Sequence, residues 1–388
     1  MNRIKLLLIT SLIAATAFGQ AKTDWNQLAE KMSSALITHF WGASFPGHAD
    51  RYYFNYLSDM HHMGTEHYWP EAHAMDVITD AYLRSGDERY AQIYPLWWEG
   101  APKYNMKESH NEADGWWNPY IDDMEWIILA QIRMSEASGE VKYLEKACQM
   151  FDDYVWPTWG PEDESPWFGG LTWNIRVKKS KNACSNGPAG IIAARLYQNY
   201  DRFPNPKYPR EAYLARAVKI HSWLKRALVN PSTGAVADNI NGEGRISGRV
   251  FTYNQGTYIG TAYELYRITG IQSYLDDAVL SAQYVVWNMA TNDGVLADAP
   301  GGDGGLFHGI FFRNFVKLLK EPSLKSDVRQ ELSDFIYRCA NVLAQQGVNP
   351  RTGLYGGKWH QAPADDEPVS LTAHLSGCML IEAVASLK

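Results

Sequence analysis

Two adjacent aspartates, Asp122 and Asp123, are the residues whose type and spacing most clearly indicate chemistry. They follow Pro119, which favours the first turn of a helix. Neighbouring side chains at a helix end bring two carboxyl groups near the roughly 5–5.5 Å used by retaining glycosidases, whereas inverting enzymes need about 6.5–9.5 Å. Because two carboxylates this close repel, the pKa of one rises and that group keeps a proton. The pair is therefore typical of glycoside hydrolysis with retention of configuration, one acid serving as nucleophile and the other as proton donor.

A purely structural interpretation of the same pair stays open. Acidic side chains in a first turn also stabilise a helix through its macrodipole, so Asp122 and Asp123 could be solvated caps. The neighbouring Trp residues favour the catalytic interpretation, because rings lower the local polarity and separate the two pKa values further. The spacing by itself does not assign the nucleophile or the acid.

Further polar and aromatic residues are candidates for binding a sugar. Each has a structural alternative: a helix cap for the Asn of the Tyr-Asn-Gln run, loop-fixing hydrogen bonds for the other amides, and core packing for the Trp rings. Arg313 is expected within a helix, paired with a carboxylate at the mouth of the fold. The candidate substrate-binding residues are Trp116, Trp117, Trp173, Asn174, Asn182, Asn186, Tyr253, Asn254, Gln255 and Arg313.

No pattern in the sequence predicts a metal or another cofactor. Four histidines between residues 61 and 73 have no standard zinc spacing. A Gly-rich segment holds Asp293, Asp298 and Asp303 without the spacing of an EF-hand. The four cysteines form no C-x-x-C pair and are expected to be mostly buried thiols.

Charge and composition exclude some classes of protein. The formal net charge of −7 and the pI of about 5.9 disfavour nucleic-acid binding, which needs a basic surface to displace counterions. Aromatic residues make up 13% of the 388 residues, and Trp (15) outnumbers Phe (13). Such an excess of Trp leaves rings available to stack on flat, weakly polar ligands such as sugars.

The first residues are typical of an export signal. A short cationic start precedes an apolar run over 6–17, and a small-x-small pattern over 17–19 fits a signal-peptidase site. The run is shorter than the roughly 20 residues that a membrane helix requires. We therefore predict a signal peptide over 1–19 and a single catalytic domain over 20–388, exported to the periplasm or the medium without a membrane anchor. No apolar stripe indicates a partner, so a monomer is expected.

Apolar residues recur at three- and four-residue spacing along most of the chain, which predicts many helices and few strands. Three short joints, around Gly86, Gly139 and Gly270, share a Gly followed four residues later by a Tyr, so that one helix ends and the next begins at once. This alternation of short joints and long segments predicts an all-α (α/α)6 barrel, six helical hairpins in a toroid with the long loops on a working face. The expected long loops are 100–118, 157–184, 230–253, 291–305 and 347–368.

In these features the sequence resembles glycoside hydrolase family 76, the bacterial endo-α-1,6-mannanases and their fungal cell-wall relatives. The segment 116–126 is similar to the Asp-Asp motif of the family. Further similar segments follow in order over most of the chain, and together they are more specific than any one alone. These segments are 68–73, 182–188, 252–256 and 307–313.

The resemblance implies an (α/α)6 fold, retention of configuration, no metal and an α-1,6-linked mannan substrate. Carried over to the matching positions, it implies that Asp122 is the nucleophile and Asp123 the acid and base. Glu71 departs from the amide or aromatic residue expected at its position, which leaves its local contact open. A retaining endo-acting enzyme that cleaves mannan backbones is thus the first hypothesis.

Two other functions remain open on the sequence alone. A sugar epimerase on the same toroid would rely on paired histidine bases, and both the adjacent aspartates and the export signal count against it. A non-catalytic glycan-binding protein would use the aromatic residues and leave the aspartates as helix caps. Incubation with linear α-1,6-mannan separates the three functions. The mannanase cleaves the polymer, the epimerase leaves it unchanged, and the glycan-binding protein binds it without cleavage.

Overall fold

The computed structural model describes residues 23–44, 50–56, 63–64, 68–109 and 114–387. The predicted signal peptide over 1–19 lies outside these ranges, as do His61, His62 and His67. Within the described ranges, no helix combines the length and the apolar composition that a membrane crossing requires.

Helices form most of the described chain, and their starts follow signals in the sequence. Asp24 caps the first helix by accepting hydrogen bonds from the backbone amides of Asn26 and Gln27, and Pro70 stands in the first turn of the second. The helices are α1 (Trp25–Phe40), α2 (Trp69–Ser85), α3 (Glu88–Ala91), α4 (Ile93–Ser109), α5 (Ile121–Ser138), α6 (Val141–Met150), α7 (Ala183–Gln198), α8 (Arg210–Ala227), α9 (Thr252–Thr269), α10 (Gln272–Tyr284), α11 (Gly304–Leu319), α12 (Ser326–Val342) and α13 (Leu371–Ala385). Short antiparallel strands pair β1 (Asn55–Tyr56) with β2 (Met63–Gly64), and β3 (Lys181–Asn182) with β4 (Asn239–Ile240).

Six helices in the described part of the chain close into an inner ring. Each packs against the next in the cycle α2, α5, α7, α9, α11 and α13, and α13 returns to α2. The outer layer places α1 against α13 and α2, α4 against α2, α6 against α5, α8 against α7, α10 against α9, and α12 against α11 and α13. Because inner and outer helices alternate along the chain, the structure confirms the predicted (α/α)6 barrel.

The inner helices all run in the same direction, so one end of the ring collects their amino termini. At the opposite end, short joints follow α2, α5 and α9 with Gly86, Gly139 and Gly270 at φ values of 68°, 80° and 68°. Glycine suits this left-handed conformation because a Cβ would crowd the backbone there. The long loops that connect outer to inner helices therefore gather at the amino end, as expected for a working face. The loop predicted over 100–118 begins later than expected, because α4 continues to Ser109.

The ring is completed by α13, which is buried along its whole length. Its N-terminal residue Leu371 donates its N–H to Asn55 Oδ1 at 2.9 Å. Ser33 Oγ donates to Glu382 Oε1 at 2.9 Å, and Arg84 pairs with the same carboxyl at 2.9 Å. Contacts between segments far apart in sequence therefore hold α13 in the gap between α11 and α2, which we call the seam of the ring.

Glu71, whose contact was left open by the family resemblance, serves the fold. It is 1% exposed and accepts hydrogen bonds from the Tyr53 backbone N–H and the Trp97 indole N–H, both at 3.0 Å. The carboxylate thus ties the segment before α2 to α4.

The inner helices α9 and α11 approach each other closely at Gly256. A Cβ built on this residue would lie 2.6 Å from Phe311 Cα and 3.0 Å from the Ile310 carbonyl oxygen. Since both neighbours are backbone atoms of a packed helix, Gly256→Ala must push the helices apart, and we expect it to lower the free energy of unfolding by about 1–3 kcal/mol. Gly304→Ala is the control, because no atom lies within 4 Å of its Cβ position. Equal denaturation midpoints for the two variants would contradict this account.

Candidate active site

A cavity of about 580 Å³ opens at the amino end of the inner ring. First turns of α2, α5, α7, α9 and α11 build its wall together with the loops that precede them. Because the free N–H groups of a first turn point along the helix axis, these helix starts direct partial positive charge towards the cavity. The lining residues are Trp69, Tyr120, Asp122, Asp123, Trp126, Trp173, Ser180, Asn182, Cys184, Asp238, Asn239, Arg249, Phe251, Tyr253, Asp303 and Phe307.

Asp122 and Asp123 lie in the first turn of α5, and both line this cavity. The start of α5 is fixed by its surroundings. Tyr120 has an extended backbone (φ −88°, ψ 120°), and the N–H of Ile121 donates to the Trp173 carbonyl at 2.9 Å. The loop before α7 therefore sets where α5 begins and where the two acids project.

The carboxyl groups on α5 have unusual environments. Burial raises the pKa of Asp122 to about 6, although the Cys184 thiol, the Trp173 indole and the amides of the first turn favour the ionised form. Asp122 Oδ1 is buried without a hydrogen-bond partner among the described residues, and so are both carboxyl oxygens of Glu125 one turn along the helix. Burial and the charge of Asp122 raise the pKa of Glu125 well above its ordinary value. At neutral pH, Asp122 is therefore mostly ionised, while burial favours the protonated form of Glu125.

Aromatic rings form part of the wall. Tyr120 and Trp173 meet edge to face with their centroids 5.1 Å apart, and Tyr253 stacks on Phe307 at 4.0 Å. Tyr120 is 40% exposed, a high value for a large ring beside two half-buried acids. Rings presented in this way can cover the apolar face of a sugar.

Polar side chains form another part of the wall. The pairing of β3 with β4 places Asn182 opposite Asn239 and joins the loops before α7 and α9. Asp238 accepts a hydrogen bond from Asn254 Nδ2 at 3.1 Å, and burial raises the pKa of its carboxyl. Arg249 adds a cation to the same region. Together these groups supply the donors and acceptors that sugar hydroxyls require.

The cavity brings together part of the set predicted from the sequence. Asp122, Asp123, Trp173, Asn182 and Tyr253 line it. Asn254 does not, since it is fully buried, and it reaches the cavity only through its hydrogen bond to Asp238.

Three of the predicted amides hold the backbone instead. Asn186 is fully buried and exchanges hydrogen bonds with the backbone of Leu171, accepting at 2.8 Å and donating at 3.1 Å. Asn174 Oδ1 accepts a hydrogen bond from the backbone N–H of Arg176, two residues further along the same turn, at 2.8 Å. Gln255 points away from the cavity: its Nε2 donates to the Val236 carbonyl at 3.3 Å, and its Oε1 accepts from Ser281 Oγ of α10 at 2.8 Å. We therefore remove these three from the candidate substrate contacts.

Two of the predicted tryptophans belong to the core. Trp116 is 7% exposed and packs against Trp97 and Trp98, with ring centroids 5.7 and 4.9 Å away. Trp117 is partly buried against the same core, and its carbonyl accepts from Asn105 Nδ2 at 2.7 Å. Neither ring lines the cavity, so both leave the candidate set.

Arg313 lies at the opposite end of the ring, where a second cavity of about 540 Å³ opens. It follows Phe307 by six residues on α11, which places it about 9 Å further along the axis. Its guanidinium pairs with Asp80 at 2.8 Å, and Arg133 pairs with Asp76 at 2.6 Å. Burial alone would raise the pKa of Asp76, but the two arginines outweigh burial and hold it far below its usual range. The predicted pairing with a carboxylate is present, but it is too far along the ring for a substrate contact.

Metal ligands do not converge in the described chain: no three His, Cys, Asp or Glu side chains group there as a site. In the Gly-rich segment, Asp293 pairs with His360 at 2.5 Å and Asp298 accepts the Trp359 backbone N–H at 2.9 Å, while Asp303 lines the cavity. All four cysteines are buried and form no disulfide: Cys148, Cys184, Cys339 and Cys378.

The sequence profile of glycosyl hydrolase family 76 matches residues 21–387. The chain belongs to glycosyl hydrolase family 76. This confirms the family indicated by the motifs and makes the protein a glycosidase. A search of curated proteins finds no match to the sequence.

Solved structures resemble this family 76 chain over most of its length. An α-1,6-mannanase from Salegentibacter sp. HEL1_6 is 35% identical with a TM-score of 0.81, and the match covers 94% of this chain and 100% of that one. An inactive variant of the same enzyme, with two consecutive aspartates replaced by alanine, was solved in complex with α-1,6-mannotetrose and matches with a TM-score of 0.82, 35% identity and the same coverage. A Listeria innocua protein is 28% identical with a TM-score of 0.76, covering 94% of this chain and 98% of that one.

The family 76 cavity also contains residues that the sequence analysis did not single out. Tyr120 immediately precedes the start of α5, so the motif itself could have identified it. Asp238 and Arg249 belong to the long loop 230–253, whose composition indicates a working face but not which side chains turn inwards. Trp126 lies one turn beyond Asp122 and lines both cavities, so it separates the two ends of the ring.

Proposed function

We propose that this family 76 glycosidase is a retaining, endo-acting enzyme that cleaves α-1,6-mannosidic linkages in mannan backbones. The observation that carries the proposal is the adjacent acid pair, Asp122 and Asp123, at a helix start within a cavity. The α-1,6 linkage is supported by the 35% identical Salegentibacter mannanase, in which replacing two consecutive aspartates gives an inactive variant in complex with α-1,6-mannotetrose. Retention is supported by the adjacency of the two acids, since inverting enzymes need a wider separation.

The two acids divide the reaction into two displacements. Asp123 protonates the glycosidic oxygen while Asp122 attacks the anomeric carbon, so that the C–O bond to the leaving sugar breaks as a mannosyl-aspartate bond forms. Asp123 then takes a proton from a water molecule, which attacks the anomeric carbon and releases Asp122. A pKa of about 6 leaves Asp122 mostly ionised at neutral pH, as a nucleophile requires.

Substrate contacts are assigned to the predicted residues that line the cavity. Trp173 and Tyr253 offer ring faces and Asn182 an amide for sugar hydroxyls. We add Tyr120, which is exposed beside Trp173, and Asp238, whose carboxyl is oriented by Asn254. Two expectations from the sequence complete the proposal: the segment 1–19 is removed on export, and the enzyme acts as a monomer without a cofactor.

Digestion of linear α-1,6-mannan tests the proposal. We expect oligosaccharides of mixed length from the first minutes, and proton NMR should show the α-anomer of the new reducing end before mutarotation. A β-anomer formed first would contradict retention, and mannose as the sole early product would contradict endo action. Retention of the protein on mannan without cleavage would favour a glycan-binding function, and conversion of free sugar would favour an epimerase.

A further inference from the structure

Three side chains occupy equivalent positions on three consecutive inner helices. Asp122 is the second residue of α5, Cys184 the second of α7 and Tyr253 the second of α9. Because these helices are neighbours in the ring and run in the same direction, equivalent positions lie at the same height around the wall. All three residues line the cavity, so they form an arc in which Cys184 stands between the other two.

The Cys184 thiol lies between two polar groups within this arc. It is 2% exposed, and the Asp122 carboxyl and the Tyr253 hydroxyl both lie near enough to affect the ionisation of its sulfur. Ser185 Oγ lies 4.0 Å from the sulfur, at the limit for a hydrogen bond to this element. Burial, and then the charge of Asp122, raise the pKa of Cys184 well above its ordinary value. The sulfur therefore keeps its hydrogen, which is available for donation.

The backbone on both sides of Cys184 is fixed. The N–H of Ala183 donates to the Asp238 carbonyl at 2.8 Å, and Asn186 Nδ2 donates to the Asn182 carbonyl at 2.8 Å. The first turn of α7 is thus held from the β4 side and from within. This restricts where the thiol can point, which a donor to a catalytic carboxylate requires.

We propose that Cys184 is a positioning residue of the hydrolase: its thiol donates a hydrogen bond to Asp122, and the Tyr253 hydroxyl holds the thiol in that orientation. The inference rests on the proposed role of Asp122 as nucleophile. A thiol is a weak donor. It therefore orients the carboxylate and favours its charge while leaving the oxygens able to attack the anomeric carbon.

Other titratable groups surround the candidate nucleophile, and all of them stay unchanged in the variants that test Cys184. Asp123 and Glu125 lie on the same helix, α5. From the packed neighbours, the loop before α9 contributes Asp238 and Arg249, which line the same cavity. A shift in the titration of Asp122 can therefore be attributed to the loss of the thiol.

Cys184→Ala tests the proposal through the pH dependence of activity. The acidic limb of kcat/KM follows ionisation of Asp122 near pH 6 in the wild type. Loss of a donor that favours the charged form raises this pKa, so we expect the limb to move up by about half a pH unit, which is about a threefold loss of kcat/KM on the limb. KM on the plateau is expected to stay unchanged. Tyr253→Phe, which keeps the ring on Phe307, should move the limb in the same direction by less.

Two further variants separate positioning from packing. Cys339→Ala removes a buried thiol from the outer helix α12 and should cost stability without moving the limb. Cys184→Ser keeps a donor, and a hydroxyl is the stronger one, so its limb should lie at or below the wild-type position. The serine variant also provides the test if Cys184→Ala does not fold.

Infrared titration of the Asp122 carboxyl band gives a readout that needs no substrate. The band is identified by its absence in Asp122→Asn, and its midpoint should be higher in Cys184→Ala than in the wild type. Equal midpoints, or an equal shift in Cys339→Ala, would overturn the role of Cys184. A wild-type enzyme that leaves α-1,6-mannan uncut would instead contradict the proposed function, and the infrared comparison would still report on the hydrogen bond.

Discussion

Asp122→Asn is expected to lower kcat/KM for α-1,6-mannan by a factor on the order of 10⁴ or more while the fold persists. An amide matches the carboxylate in shape but has no charge and is a poor nucleophile, so the covalent intermediate cannot form. Stability should not fall. The pKa of Asp122 is higher in the folded chain than its ordinary value. At any pH above the ordinary pKa, ionisation of this carboxyl therefore favours the unfolded chain and lowers the free energy of unfolding. A neutral amide removes this cost at neutral pH.

Activity assays, circular dichroism and thermal unfolding check this result, and added azide identifies the role. In Asp122→Asn a small anion can occupy the space of the lost carboxylate and attack from the same side, which gives a β-mannosyl azide. Activity within tenfold of the wild type would exclude Asp122 as the nucleophile.

Asp123→Asn is expected to lower kcat/KM for mannan by about 10²–10⁴-fold, the usual contribution of general acid and base catalysis. The loss should depend on the leaving group, because a sugar needs a proton to depart and an activated phenol does not. With an aryl α-1,6-mannooligosaccharide carrying such a phenol, the first step should stay fast and the intermediate should accumulate. Azide should then attack this intermediate and give the α-mannosyl azide.

Glu125→Gln is the matched control for both substitutions. It makes the same change from acid to amide one turn further along α5, at a carboxyl whose protonated form burial already favours. We expect its activity to stay within a few-fold of the wild type. A leaving-group dependence in Glu125→Gln and none in Asp123→Asn would contradict the assignment of the proton donor.

The barrel could be predicted because its signals are local. Helical periodicity needs only the next few residues, and joints such as Gly86 and Gly139 combine a left-handed glycine with an immediate new helix. The acid pair could be predicted for the same reason, since two neighbours after Pro119 share one helix start wherever that helix lies in the fold. Which helices form the inner ring could not be read in this way, because it depends on packing partners far along the chain.

The misplaced residues show where local reasoning ends. Gln255 follows Tyr253 by two positions, which is more than half a turn of a helix, so one faces α10 when the other faces the cavity. Arg313 stands beyond the depth of the cavity on α11. Asp238 is brought to the wall by the pairing of β4 with β3, two residues long and without a sequence signal of its own. Such positions depend on which face of a helix points to the cavity, on the distance along the helix axis and on pairing between segments far apart in sequence.

The seam made by α13 also sets the order of events during synthesis. Ser33 and Glu382 are separated by 349 residues yet share a hydrogen bond, and His374 of the same helix lies 3.1 Å from the Met32 carbonyl. Contacts of such separation form late, because the entropy of closing a long loop is lost before they can compensate for it. While the ribosome is still making the chain, the ring stays open between α11 and α2. A nascent polypeptide therefore has an incomplete barrel, and the docking of α13 completes it.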